Sequence, residues 1–175
     1  MGAGALRAAG VGPGDSVGLY APMQVPTVVA LLATMKIGAR FVPIFCGYGE
    51  EALRERLASC EAKVLFACGT LVRRGKATDT GAIARAAAAK VPSITRVVWP
   101  ATADWTAFLI SAESVTACVR TAAEDGCLIL YTSGTTGRPK GTVHTHAGCL
   151  AQMGKELRFA FDAEHEARIL TPTSA

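Results

Sequence analysis

Residues 131–141, YTSGTTGRPKG, place hydroxyls, glycines and cations side by side directly after the apolar run CLIL. Thr132, Ser133, Thr135 and Thr136 offer hydroxyl donors. Gly134, Gly137 and Gly141 let the backbone take positive φ and approach a ligand closely. Backbone amides in such a loop form a concavity suited to an anion. Pro139 fixes its own φ and pushes Arg138 toward an extended shape, which stiffens the segment delivering Lys140. A unit charge pair at about 4 Å is worth on the order of 4 kcal/mol at an effective dielectric of 20, before desolvation. A neutral hydrogen bond nets roughly 0.5–1.5 kcal/mol. Lys140 is therefore the strongest single contact to a phosphate, and the hydroxyls and amides shape the site around it. The spacing departs from the nucleotide loop GxxxxGK[ST]: Pro139 stands where the second glycine belongs, and Gly141 follows Lys140.

The elements that must hold this stretch follow from hydropathy. Residues 126–133, GCLILYTS, read as a strand leading into the loop; GTVHTH follows it, and a helix starts near Ala147. Upstream, GVGPGDS is a turn and SVGLYAP a short strand. PTVVALLATMKIG is a helix with Pro26 in its first turn and Gly38 past its end. Val28, Leu31, Leu32 and Met35 recur at helical spacing and predict its buried face. ARFVPIF is a second strand, ended by the turn CGYG. A helix opened by Glu50 and Glu51 follows, with Leu53, Leu57 and Cys60 inward and Glu50 spaced to pair with Arg54. AKVLFAC is a third strand, an Ala-rich helix lies near 80–90, and ITRVVWP is a fourth strand; residues 100–123 stay unassigned. Strands alternating with helices predict an α/β fold with a largely parallel sheet and flanking helices.

Composition bounds the rest. A chain of 175 residues suits one domain with a real core, and half of its residues are apolar, which excludes disorder. The net charge of +4 is spread out, with no basic run that would point to nucleic acid. Six cysteines lack CxxC spacing, and several fall in apolar stretches, as reduced thiols of a cytoplasmic protein do. The opening MGAGALRAAG lacks the apolar stretch of a secretion signal, and Leu6 occupies the Ser/Thr position of a myristoylation motif. Residues 25–35, the most apolar run, are too few for a membrane span.

YTSGTTGRPKG resembles the phosphate-loop signature of the AMP-forming adenylating enzymes: acyl-CoA synthetases, peptide-synthetase adenylation domains and luciferases. GVGPGDSVGLYAPM, VVALLATMKIGARFVPIFCGYGEEALRERL and VHTHAGCL look most like the acetyl-CoA synthetase branch and its short-chain relatives. The resemblance implies the adenylate-forming fold, with residues 1–175 as part of one AMP-binding N-terminal domain truncated at both ends and no C-terminal domain. It implies that a carboxylate attacks the α-phosphate of Mg·ATP to give an acyl-adenylate and pyrophosphate, and that CoA thiol then displaces AMP. Thr132, Ser133, Gly134, Thr135, Thr136 and Lys140 would close over the β- and γ-phosphates, with Lys140 the catalytic residue and Gly137 and Gly141 as hinges. It also implies that Arg73, Arg74, Gly75 and Lys76, in the stretch LVRRGK, hold a CoA phosphate through the planar forks of arginine. By residue type alone that stretch equally fits a solvated basic loop.

His144, His146 and Cys149 are spaced to suggest a metal site, but no second ligand pair accompanies them. The resemblance implies a structural or pocket-lining role there, and metal ligands are assigned to none of these residues. The adenine-pocket segment, the acidic magnesium ligand, the ribose-binding Asp and the C-terminal lysine of the resembled enzymes have no counterpart in the sequence. The expected protein is thus a short-chain acyl-CoA synthetase using a small acid, ATP, Mg2+ and CoA, with this chain an incomplete and inactive piece of it. A non-catalytic nucleotide- or polyphosphate-binding module and the remnant of a broken gene remain open.

Overall fold

The computed structural model describes residues 1–133, 139–164 and 166–168. Helix α1 (Gly2–Ala8) precedes strand β1 (Ser16–Tyr20), and helix α2 (Val25–Lys36) leads to β2 (Arg40–Pro43). Helix α3 (Glu50–Ser59) then leads to β3 (Val64–Ala67), followed by the short strands β4 (Leu71–Arg73) and β5 (Lys76–Thr78). Helix α4 (Thr80–Ala88), strand β6 (Arg96–Val98) and helix α5 (Ala103–Ile110) come next. The antiparallel strands β7 (Gly126–Ser133) and β8 (Pro139–Thr145) precede helix α6 (His146–Lys155) and a π-helical turn, Glu156–Ala160.

The main sheet has six strands in the order β6-β3-β1-β2-β7-β8. All its pairings are parallel except β7 with β8. The expected α/β architecture with a largely parallel sheet is therefore the one observed. A parallel strand covered on both faces must be apolar on both faces, and every residue of β1 is buried. On one face Val17, Leu19, Val64, Phe66 and Val98 pack with Leu6, Ile37 and Phe108 from α1, the end of α2 and α5. On the other face Tyr20, Val42, Leu65 and Ile129 meet Leu53 and Leu57 of α3 and Ala84 and Ala87 of α4. Phe66, Trp105 and Phe108 add edge-on and stacked ring contacts at 5.5–6.1 Å between centroids.

Two details depart from the sequence expectations. Helix α2 buries Thr27, Ala30, Ala33 and Thr34, whereas Val28 and Leu32 are exposed (39% and 58%) and Leu31 and Met35 are half-buried. The cause is its neighbour: α1 presents Gly2, Ala3, Gly4 and Ala5, and a Cβ on Gly2 would lie 3.2 Å from that of Ala33. Two small-residue faces allow close helix approach, and periodicity read from bulky residues pointed to the wrong side. The expected Glu50–Arg54 pair is replaced by Arg54 with Glu51 (2.5 and 2.9 Å) and Lys90 with Glu50 (2.6 Å). Cys60, expected inward, caps the end of α3 and packs half-buried against the same core as Leu53 and Leu57.

The unassigned region holds α5, begun by Thr102, whose side chain accepts from the Asp104 amide. No helix among the described residues is long and apolar enough to cross a membrane.

Leu57 is fully buried against β1, and it reaches the sheet because residue 18 is glycine: a Cβ there would lie 2.7 Å from Leu57 Cδ2. Leu57→Ala should lower unfolding free energy by about 2–5 kcal/mol. The check is urea denaturation followed by circular dichroism.

Candidate functional site

Strands β1, β2, β3 and β7 are parallel, so their carboxyl ends lie on one edge of the sheet. Chain order reverses about β1, because β2 joins one side of it and β3 the other. In open α/β sheets ligands bind beyond the carboxyl ends at such a reversal. Two features converge on this edge: a cationic cleft beyond β2 and β3, and the hydroxyl-rich stretch that continues β7.

The cleft has a volume of about 570 Å³ and is lined by Cys46, Gly47, Tyr48, Gly49, Leu71, Arg73, Arg74, Lys76, Thr78 and Ile83. Three of its residues are cations carried by the β4–β5 hairpin, within the stretch LVRRGK. Arg73 pairs with Lys76 across a two-residue connection, Arg74–Gly75, in which both residues have positive φ (51° and 77°). That is the type I′ geometry whose twist matches a hairpin, and it explains the glycine. The available signal was an X-Gly dipeptide between two short runs, weakened by an arginine where asparagine or aspartate is usual.

Arg73 and Lys76 are directly opposite each other in the ladder, so their side chains share a face. Like charges so placed repel, and among the described residues neither they nor Arg74 forms an ion pair with a carboxylate. An anion placed between them would relieve that repulsion. Arg73 is further held over the Phe45 ring at 5.3 Å, and Phe45 meets Tyr48 edge-on at 5.6 Å. Tyr48 in turn stacks under Arg56 at 4.2 Å, and its carbonyl accepts from the Tyr20 hydroxyl at 2.6 Å. Burial pushes the Tyr20 hydroxyl up to about 12, so it remains a donor. A buried tyrosine thus anchors the turn that carries the aromatic support of a surface arginine.

Two thiols flank this turn. Cys68, just past β3, sits 3.2 Å from the Thr80 hydroxyl, which itself donates to the Cys68 carbonyl at 2.9 Å. Interaction with the neighbouring Cys46 thiol holds Cys68 below the usual thiol range, and the same interaction together with burial raises Cys46.

At the other feature, the ladder sets Thr132 opposite Lys140 and Ser133 opposite Pro139. Thr132 and Lys140 are exposed and project from the same face of the sheet. The alternate face is tied down by Tyr131, whose hydroxyl donates to the Arg56 carbonyl at 3.0 Å and is pushed up by burial. Gly134, Thr135, Thr136 and Gly137 lie outside the described residues, as does Arg138. His144 and His146 are not on one strand face, because His146 opens α6. Among the described residues no three His, Cys, Asp or Glu side chains group to hold a metal.

A family model described as AMP-binding enzyme matches residues 2–174. The chain belongs to the AMP-binding enzyme family. Within that family it is 36% identical over 178 residues to an acetyl-coenzyme A synthetase of Coprinopsis cinerea, covering 95% of this chain and 27% of that protein. It is 35% identical to the acetyl-coenzyme A synthetase of Rubrobacter xylanophilus, covering 94% of this chain and 27% of that one. Among solved structures, acetoacetyl-CoA synthetase from Streptomyces lividans superposes with a TM-score of 0.80 at 28% identity, over 92% of this chain and 27% of that protein. The chain thus spans about a quarter of the length of the relatives it matches. For this AMP-binding family member the comparisons bear out the α/β expectation and the likeness to the acetyl-CoA synthetase branch.

A Cβ at residue 47 would lie 2.3 Å from Phe45 Cε1, so the ring that supports Arg73 requires glycine there. Gly47→Ala should displace the Phe45 ring while changing stability by less than about 1 kcal/mol, since the ring is 41% exposed and free to turn outward. Phe45 ring resonances in NMR, with a urea midpoint beside them, check both halves. An unmoved ring would contradict the contact.

Proposed function

We propose that this chain is part of the AMP-binding N-terminal domain of an AMP-forming acyl-CoA synthetase acting on a short-chain, acetate-like acid in the cytoplasm. The observation that carries the proposal is the sheet edge itself. The stretch bearing Thr132 and Lys140 leaves β7 on the edge where the Arg73, Arg74 and Lys76 cleft opens, β7 being paired with β2. At about 4.8 Å per strand, β2 and β3, whose following turns line the cleft, stand one and three strand spacings from β7. Two cation-bearing features on one edge suit a reaction that consumes both ATP and CoA.

In the proposed reaction an acid carboxylate oxygen bonds to the α-phosphorus of ATP, and the bond to the bridging oxygen breaks to release pyrophosphate. The CoA sulfur then attacks the acyl carbon, and AMP leaves. Such in-line displacement depends on positioning and on neutralising charge. Lys140 offsets charge on the β- and γ-phosphates, and Thr132 with Ser133, Gly134, Thr135, Thr136 and Gly137 supplies donors that shape the loop. Arg73, Arg74 and Lys76 hold a CoA phosphate, with Gly75 setting the turn between them. Magnesium would shield the triphosphate in the reaction. The described residues offer no acidic cluster for it, so no residue is assigned to the ion. The 175 residues contribute these two phosphate contacts and do not by themselves complete the reaction. Acid-dependent ATP–pyrophosphate exchange by the purified chain would overturn that last statement. Salt-sensitive ATP binding without turnover in the completed enzyme would favour a non-catalytic module.

Two substitutions separate the assigned roles. In a version extended to the length of its relatives, Lys140→Ala should slow adenylate formation about 100-fold, the cost of losing one transition-state donor. Thioester formation from supplied acyl-adenylate should change little, and equal slowing of both steps would count against the assignment. In the 175-residue chain, Arg73→Ala should weaken CoA binding about tenfold or more, as loss of a charge-assisted contact does, while pantetheine, which lacks the phosphates, binds as before. Isothermal titration at two salt concentrations provides the check.

A further inference from the structure

Cys127 and Cys149 are independent of the phosphate features and come from different elements. Cys127 lies near the start of β7, is 2% exposed, and points its thiol at Cys149 Sγ at 3.7 Å and at the His144 carbonyl at 3.5 Å. Cys149 is half-buried in the first turn of α6. That turn is held in place by the Thr145 hydroxyl accepting from the Gly148 amide, and by the His146 and Ala147 amides donating to the Asp125 and Ala123 carbonyls. None of the residues of α6 is buried, so no close packing opposes a small shift of the helix. A disulfide needs sulfurs about 2.05 Å apart, an approach of less than about 2 Å from the observed separation.

We propose that Cys127 and Cys149 form a thiol–disulfide exchange site that takes a low-molecular-weight disulfide and closes into a bond fastening α6 to β7. The half-buried Cys149 is the entry point. Its thiolate attacks one sulfur of the small disulfide, the S–S bond breaks, and one small thiolate leaves and is protonated by water. Cys127 then gives its proton to water, attacks Cys149 Sγ and expels the second small thiolate. Two protein thiols are oxidised, and one small disulfide is reduced to two thiols. Burial holds the Cys127 thiol up at about 11, so closure quickens as pH rises. The closed ring runs from residue 127 to residue 149 and contains the whole of YTSGTTGRPKG. Oxidation therefore restrains both ends of the hairpin that carries Thr132 and Lys140.

The test treats the 175-residue protein with oxidised glutathione, blocks remaining thiols and maps tryptic peptides without reduction. Cleavage after Arg120, Lys140 and Lys155 leaves Cys127 as the one cysteine of 121–140 and Cys149 as that of 141–155. The expected result is a 121–140/141–155 linked peptide and a melting temperature raised by about 5–10 °C, as closing a loop of this size does, reversed by dithiothreitol. Cys127→Ser should stop at one glutathione on Cys149, with no rise in melting temperature. Cys149→Ser replaces a half-buried helix residue and needs no core rearrangement; it should abolish the link. Persistent glutathione on Cys149 of the unsubstituted protein would overturn the proposal. So would modification confined to the exposed Cys118, or a link found only between peptides 41–54 and 64–73, which carry Cys46 and Cys68.

Discussion

The rest of the molecule depends on the parallel alignment of β1 with β2 and β3. Val17 pairs with Phe41 on one side and Val64 on the other, so three chain segments end at the same level. Parallel pairing requires crossover helices, and those helices cover both faces of the sheet. This is why β1 is buried throughout and why Gly18 must leave room for Leu57. With both faces of β1 occupied, the carboxyl edge, where the turns after β2 and β3 and the end of β7 come together, is open to a ligand. The position of the proposed phosphate contacts would thus be a consequence of strand direction before any side chain is considered.

Much of this was legible in residue order. The strands around Val17, Val42 and Leu65 stood out because continuous apolar runs bounded by turn residues can only be buried strands or helices, and their length decided between the two. The hydroxyl-glycine-lysine stretch after β7 was readable because its chemistry is unlike that of an ordinary turn. What misled was size. In α2 the bulky residues stand outside and the alanines and threonines inside, since the partner α1 is itself built of glycine and alanine. A pattern of large side chains carries no information about a contact made by small ones.

Other features were illegible because they exist only in three dimensions. The β4–β5 hairpin is three residues on each side, too short for alternation to declare itself, and its turn uses arginine at a left-handed position. The support of Arg73 by Phe45, and of that turn by Tyr20 through Tyr48, joins residues far apart in the chain. The same holds for the proximity of Cys127 and Cys149, which depends on where β8 returns the chain to begin α6.

The two-residue turn at Arg74 and Gly75 has a further effect. Arginine and lysine side chains are among the costliest to immobilise, and a binding site made from them in a slack loop would have to order backbone and side chains together when the anion arrived. Here the backbone is already committed by the hairpin ladder, and Arg73 is already braced on an aromatic ring. Folding has met part of the ordering cost in advance. An anion bound there, as proposed, would be selected by whether its charges match a preset spacing, and not only by how much charge it carries.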